Sequence, residues 1–211
     1  ELKVSADDLI SGATGMFYGP QWSNLATMIA SLDAEKPAGT RAFDTITVPN
    51  PFQAVFCEDY SLPVRNFQEY TVVHTIETAL APHMRGGQIG HSASMGCAGW
   101  TDRVNNPQHR LNIENAPKIL MLNSKHDPAT PYAWAANAHR QTRDTTVFVT
   151  YDGWGHGVYT HSDCTRGTVD NYLTALTTPK DGTHCAAVEP PTASVRAEEA
   201  LPRTSMWGML R

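Results

Sequence analysis

Nothing in this sequence approaches the roughly 20 consecutive apolar residues that a membrane-spanning helix needs. Its longest apolar stretches, such as residues 119–122 and 147–149, are far shorter. A basic run is missing as well. Lys and Arg number 16 against 21 Asp and Glu, a formal net charge of -5, so no series of phosphates would be neutralised and neither nucleic acid nor a membrane is an expected partner. There is no C-x-x-C pair of the kind that announces zinc or a redox dithiol, and neither a metal nor any other cofactor is expected. The opening Glu1-Leu2-Lys3-Val4 has no Met, no charged leader region and no apolar one. The expectation is a processed piece whose signal peptide is gone or belonged to an upstream segment. Internal repeats and heptads are absent too.

What is there is an ordinary globular composition, with 41% hydrophobic and 18% charged residues in 211, enough for one domain or most of one. Four cysteines, Cys57, Cys97, Cys164 and Cys185, are even in number and widely spaced, which points to two disulfides and hence to a secreted, extracellular protein, since cytosolic thiols stay reduced.

Ser5 followed by Asp8 has the form of a capping box and starts a short helix. Trp22, Leu25, Ala26, Met28, Ile29 and Leu32 recur at three- and four-residue intervals, the apolar face of a second helix ending near Asp33. From about residue 34 to 51 the chain turns polar, and Pro37, Gly39, Pro49 and Pro51 mark a boundary. Ala54-Val55-Phe56-Cys57 is a short apolar run that reads as a buried strand. Residues 67–84 read as a helix with Tyr70, Val73, Ile76 and Leu80 inward, stopped by Gly86-Gly87.

The most informative region begins at Pro117. Lys118-Ile119-Leu120-Met121-Leu122-Asn123 is the continuous apolar pattern of a strand covered on both faces in a parallel sheet. Pro131 can begin a helix, residues 132–143 are Ala-rich, and residues 145–151 are β-branched and aromatic, a second strand. Strand, helix, strand is a βαβ unit. A further helix spans about 163–176 with Val169, Tyr172, Leu173 and Leu176 on one face. Beyond Cys185 no periodicity remains, and a loosely ordered extension is expected.

Ligands gather outside the carboxyl ends of parallel strands. The two loops there carry Asp127, between a strand end and a Pro-fixed helix start, and His156, flanked by Gly155 and Gly157. A buried carboxylate on one imidazole nitrogen fixes the tautomer and stabilises the cation, leaving the other nitrogen to take a proton from a nucleophile. Asp127 and His156 are thus candidates for two members of a nucleophile–base–orienter relay. His156, His161, Asp163 and Cys164 match no common zinc spacing.

Several motifs stand in a characteristic order: Tyr18-Gly19-Pro20 with Trp22, Ala54-Val55-Phe56-Cys57-Glu58-Asp59, Cys97-Ala98-Gly99-Trp100, Asp127-Pro128-Ala129-Thr130-Pro131, Gly153-Trp154-Gly155-His156-Gly157, Cys164, Asn171-Tyr172-Leu173 and Lys180-Asp181-Gly182-Thr183-His184-Cys185. In order and spacing over residues 16–186 the chain resembles the carboxyl-terminal portion of secreted α/β-hydrolases of the tripeptidyl aminopeptidase type. The resemblance implies an α/β fold, the last part of a parallel sheet with flanking helices plus the last helices of a helical cap. It divides the chain into the end of the cap (1–46), the carboxyl-terminal part of the core (47–186) and a tail (187–211). It also implies Asp127 as the acid and His156 as the general base of a Ser–Asp–His triad, and pairing of Cys57 with Cys97 and Cys164 with Cys185. Glu58 and Asp59 are then candidates to hold a substrate ammonium, and Trp134 and Trp154 read as packing residues or pocket walls.

The chain departs from that family in two respects: only three strands are read, too few for the family's sheet, and the nucleophile motif is missing. The nucleophile of an α/β-hydrolase sits in G-x-S-x-G on a strand-to-helix elbow, and no such motif occurs. Gly90-His91-Ser92-Ala93-Ser94-Met95-Gly96 imitates it without a preceding apolar strand, in what reads as the loop before the second cysteine. The expectation is therefore a serine hydrolase acting on a small peptide or ester, with the Ser on an amino-terminal chain or segment. The alternatives are an esterase or lactonase acting on a natural product, and a catalytically silent binding or assembly module.

Overall fold

The computed structural model describes residues 5–33, 51–62 and 64–189. In chain order they form α1 (Ala6–Tyr18), α2 (Trp22–Asp33), α3 (Pro51–Asp59), α4 (Phe67–Leu80), α5 (Gln88–Gly96), β1 (Ile119–His126), α6 (Tyr132–Gln141), β2 (Thr146–Trp154), α7 (Asp163–Ala175) and β3 (Thr183–Cys185). Two compact units result, one containing residues 5–12 and 51–109, the other residues 13–33 and 110–189. The expected boundary at 46/47 and nearly all of the expected tail lie outside the described residues.

In the first unit, residues 54–57 are not a strand but part of helix α3. Four apolar residues cannot distinguish the two periods, whereas aromatics four apart decide it: Phe52 stacks on Phe56 and Phe56 on Tyr60, with centroids 5.3 and 4.5 Å apart. The segment expected to be a loop before Cys97 is likewise helical, as α5. Helix α4 starts where Asn66 accepts the Gln68 and Glu69 N–H groups, and it ends at Ala81 before a 3-10 turn, Pro82–Met84. Its expected inward face holds only partly, because Ile76 is 55% and Leu80 80% exposed. The Cys57–Cys97 disulfide ties α3 to the end of α5.

In the second unit the sheet has the order β1-β2-β3, all parallel. Helix α6 carries the crossover from β1 to β2, so the βαβ reading holds, and α7 connects β2 to β3. The central strand β2 is buried almost throughout, which is why its sequence runs apolar and β-branched without alternation. Val149, Tyr151, Val158 and Cys185 form the core, with Leu120 and Leu122 packed against it. Ser162 and Thr165 cap α7 reciprocally, and Leu176, in the left-handed region at φ 52°, ends it. Leu173 and Leu176, expected on its buried face, are exposed. Cys164 pairs with Cys185, fastening α7 to β3.

Candidate active site

The carboxyl ends of β1 and β2 hold the site. Register runs from Ile119 opposite Thr146 to Ser124 opposite Tyr151, then shifts so that His126 stands opposite Trp154. This irregularity releases both chains into loops side by side. The loops are then fastened: the Gly155 N–H donates to the His126 carbonyl at 3.2 Å, and the fully buried Ser124 hydroxyl donates to the Gly155 carbonyl at 2.7 Å.

Asp127 opens the first loop as an Asx-type turn. Its Oδ1 accepts the Ala129 and Thr130 N–H groups at 2.8 and 2.7 Å, and its Oδ2 accepts the Thr130 hydroxyl at 3.0 Å. Asn123 holds the same turn by donating to the Thr130 carbonyl. The Asp127 side chain is 3% exposed, so these donors replace water as its solvation.

His156 reaches it from the second loop, with Nδ1 3.1 Å from Oδ1 and 3.0 Å from Oδ2. With Nδ1–H donating to the carboxylate, Nε2 carries the lone pair, on a ring that is 39% exposed. A buried, fully coordinated acid behind a partly open base is the arrangement that orients an imidazole for proton transfer.

Gly155 and Gly157 shape this loop, with φ of 104° and 72°. At Gly155 a Cβ would stand 2.6 Å from His161 Nε2 and 2.8 Å from the Tyr18 carbonyl, so a side chain is excluded by space as well as by backbone. That Tyr18 carbonyl accepts the His156 backbone N–H at 2.7 Å, and the Tyr18 ring meets the imidazole edge-on at 5.4 Å. Burial, and secondarily the Asp127 charge, raise the Tyr18 phenol above its ordinary pKa, keeping it protonated beside the pair. Burial lowers the pKa of His161.

The two catalytic candidates are therefore in contact, and Trp154 stands near them in the chain, edge-on to Trp22 at 6.2 Å and stacked with His126 at 6.1 Å. Glu58 lies in the first unit, where its carbonyl accepts the Asn105 N–H and its carboxylate accepts the Asn105 amide. Residues 92 and 94 lie within α5 rather than on a strand-to-helix elbow. All four cysteines are paired as the resemblance implies. Thr130 and Tyr18 escaped the sequence reading. Asp-x-x-Thr was a usable turn signal, whereas nothing local announces that Tyr18 meets His156.

Residues 84–185 match the family described as TAP-like protein. Carboxylesterase B of Mycobacterium tuberculosis is 27% identical over 180 residues, 84% of this chain and 33% of the relative. Serine protease Hip1 of the same organism is 32% identical over 108 residues, 50% of this chain and 20% of its own length. Tripeptidyl aminopeptidase of Streptomyces lividans is 33% identical over 92 residues, 43% and 17% respectively. The chain thus spans about a third or less of each relative.

Proposed function

With residues 84–185 a TAP-like domain of the α/β-hydrolase kind, we propose that this chain supplies the acid and the base of a Ser–Asp–His relay that hydrolyses an amide or ester bond. The observation that carries the reading is the 3.0 Å contact between the buried Asp127 carboxylate and the partly open His156 ring. The Ser belongs to an amino-terminal segment or separate chain, because no G-x-S-x-G occurs among these 211 residues.

The Ser hydroxyl gives its proton to His156 Nε2 as its oxygen attacks the carbonyl. Asp127, already paired with Nδ1–H, stabilises the imidazolium without taking the proton. His156 then protonates the leaving amine or alcohol, and the acyl group stays on the Ser. A water, deprotonated by the same nitrogen, hydrolyses the acyl-enzyme and restores both residues. Backbone N–H groups of the amino-terminal segment stabilise the oxyanion. Trp154 serves as a wall beside the base. Glu58 holds the ammonium of a peptide substrate, exchanging its Asn105 partner for that charge. The relatives' names include an esterase and peptidases, and the same relay serves either bond. The two disulfides support the reading of an oxidising, extracellular setting.

The test is labelling by a fluorophosphonate, with intact mass, of this chain together with the upstream segment carrying the nucleophile motif. Label on the upstream segment, with turnover of the assembled enzyme falling about 10⁴-fold in Asp127→Asn, is the expected result. Label on this chain alone would move the nucleophile to Ser92 or Ser94. Absence of label would leave a silent module instead, and near-normal turnover in Asp127→Asn would remove Asp127 from the relay. In the same assay Glu58→Gln should raise KM for peptides with a free amino terminus and leave esters unchanged; an equal effect on both removes Glu58 from the site.

A further inference from the structure

Helix α4 places His74, Glu77 and Thr78 on one face, at the three- and four-residue spacings that make helical neighbours. Each carries a buried polar atom without a hydrogen-bond partner: His74 Nδ1, Glu77 Oε2 and Thr78 Oγ1. Buried polar atoms are nearly always paired, so three orphans on one face need an explanation. His91, from α5, faces the same spot.

One donor atom from each of His74, Glu77 and His91 lies within 4.8 Å of the others. His91 Nδ1 is 3.8 Å from Glu77 Oε2, too long for a hydrogen bond. Donors that share a tetrahedral ion through bonds of about 2.0–2.1 Å stand about 3.4 Å apart, so separations need to close by at most about 1.4 Å, which side-chain rotation can supply. The backbone helps to set this geometry. Gly86, at φ 95°, comes so close to α4 that a Cβ there would lie 2.8 Å from Glu77 Cβ, and this approach delivers α5 and its histidine. Tyr70 stacks on the His74 ring at 5.6 Å and 7° and meets His91 edge-on at 5.4 Å, restricting both imidazoles.

We propose that His74, Glu77 and His91 bind one divalent transition-metal ion, zinc, which clamps α4 to α5 and keeps a fourth position for water. Two imidazoles and one carboxylate are a zinc-type donor set, whereas magnesium and calcium take oxygen. The side chains of His91 and Glu77 are 32% and 22% exposed, so the ion has an entry path. Thr78, four residues after His74 on the same helix, adds a buried hydroxyl without a partner. The site lies in the first unit and does not depend on the hydrolase reading.

The test uses the untagged chain, stripped with a chelator and titrated with zinc chloride, read by metal analysis and calorimetry. One zinc per chain is expected, with a melting temperature that rises with zinc concentration. Glu77→Gln and the double variant His74→Asn/His91→Asn should each weaken binding by at least about tenfold, and His184→Asn should not. Should those variants fail to fold, modification of the wild-type histidines by diethyl pyrocarbonate decides the matter: zinc should protect His74 and His91 and leave His184 reactive. Absence of saturable one-to-one binding, unchanged affinity in the double variant, or protection confined to other histidines would overturn the proposal.

Discussion

Asp127 shows how much of a site can rest on one turn. Its carboxylate is buried yet takes two backbone N–H groups, one hydroxyl and the imidazole, so the charge is solvated by donors that do not move. His161, three residues beyond the core residue Val158, is in the opposite position. Its Nδ1 is buried with no partner, and burial lowers its pKa from the ordinary 6.5. The unfolded chain therefore takes up the proton first as the pH falls. Stability from this group is fully present above about pH 6.5 and is lost as the pH drops from there through the lower folded-state value. In urea melts at pH 7.5 and 5.5, the midpoint of the wild type should fall by more than that of His161→Asn, the remaining histidines contributing alike to both. Equal falls in the two proteins would mean that the folded chain protonates His161 as readily as water does.

The loop after β2 makes the corresponding point for an element. Gly155 and Gly157 both have positive φ, but only at Gly155 would a Cβ also collide with His161 and the Tyr18 carbonyl. Gly157→Ala should cost about 1–2 kcal/mol from backbone conformation alone. Gly155→Ala should cost distinctly more, and it should also lower turnover of the assembled enzyme by displacing His156. Urea midpoints compare the two, and equal losses would show that close packing is not what requires Gly155. The elements differ in how plainly the sequence announces them. β2 was legible because a strand buried on both faces must run apolar and β-branched, and β1 because of its continuous apolar run, although it is an edge strand in which only Asn123 and Ser124 are buried. Asp127 and His156 were legible because parallel strands point their following loops at one place. β3 was not legible: three residues, Thr183–Cys185, have no period, and only pairing with Val149, Thr150 and Tyr151 makes them a strand. α3 was misread because its four-residue apolar run fits either period, and the aromatic ladder that settles it extends beyond that run.

At the scale of the molecule, each disulfide closes a loop within one unit, with sequence separations of 40 and 21, and each contributes on the order of 3–4 kcal/mol by limiting the unfolded chain. The sheet is less self-contained than those units. Its order β1-β2-β3 buries β2 at the centre and leaves β1 at an edge, with Ile119 42% exposed. Among the described residues nothing pairs with the outer side of β1. An eight-residue parallel strand whose first half is apolar is a poor edge, because alternate backbone groups point outward with no ladder to join. If the nucleophile arrives on an amino-terminal segment, that edge is where its parallel sheet continues, and the ends of its strands would then point to the same side as Asp127 and His156. Hydrogen exchange followed by mass spectrometry tests this directly on the chain alone and with the upstream segment bound. Amides of residues 119–126 should gain protection on assembly, while those of β3 should change little, since β3 lies on the far side of β2. Complex formation without added protection in β1 would show that the segment docks elsewhere and that this edge serves another contact.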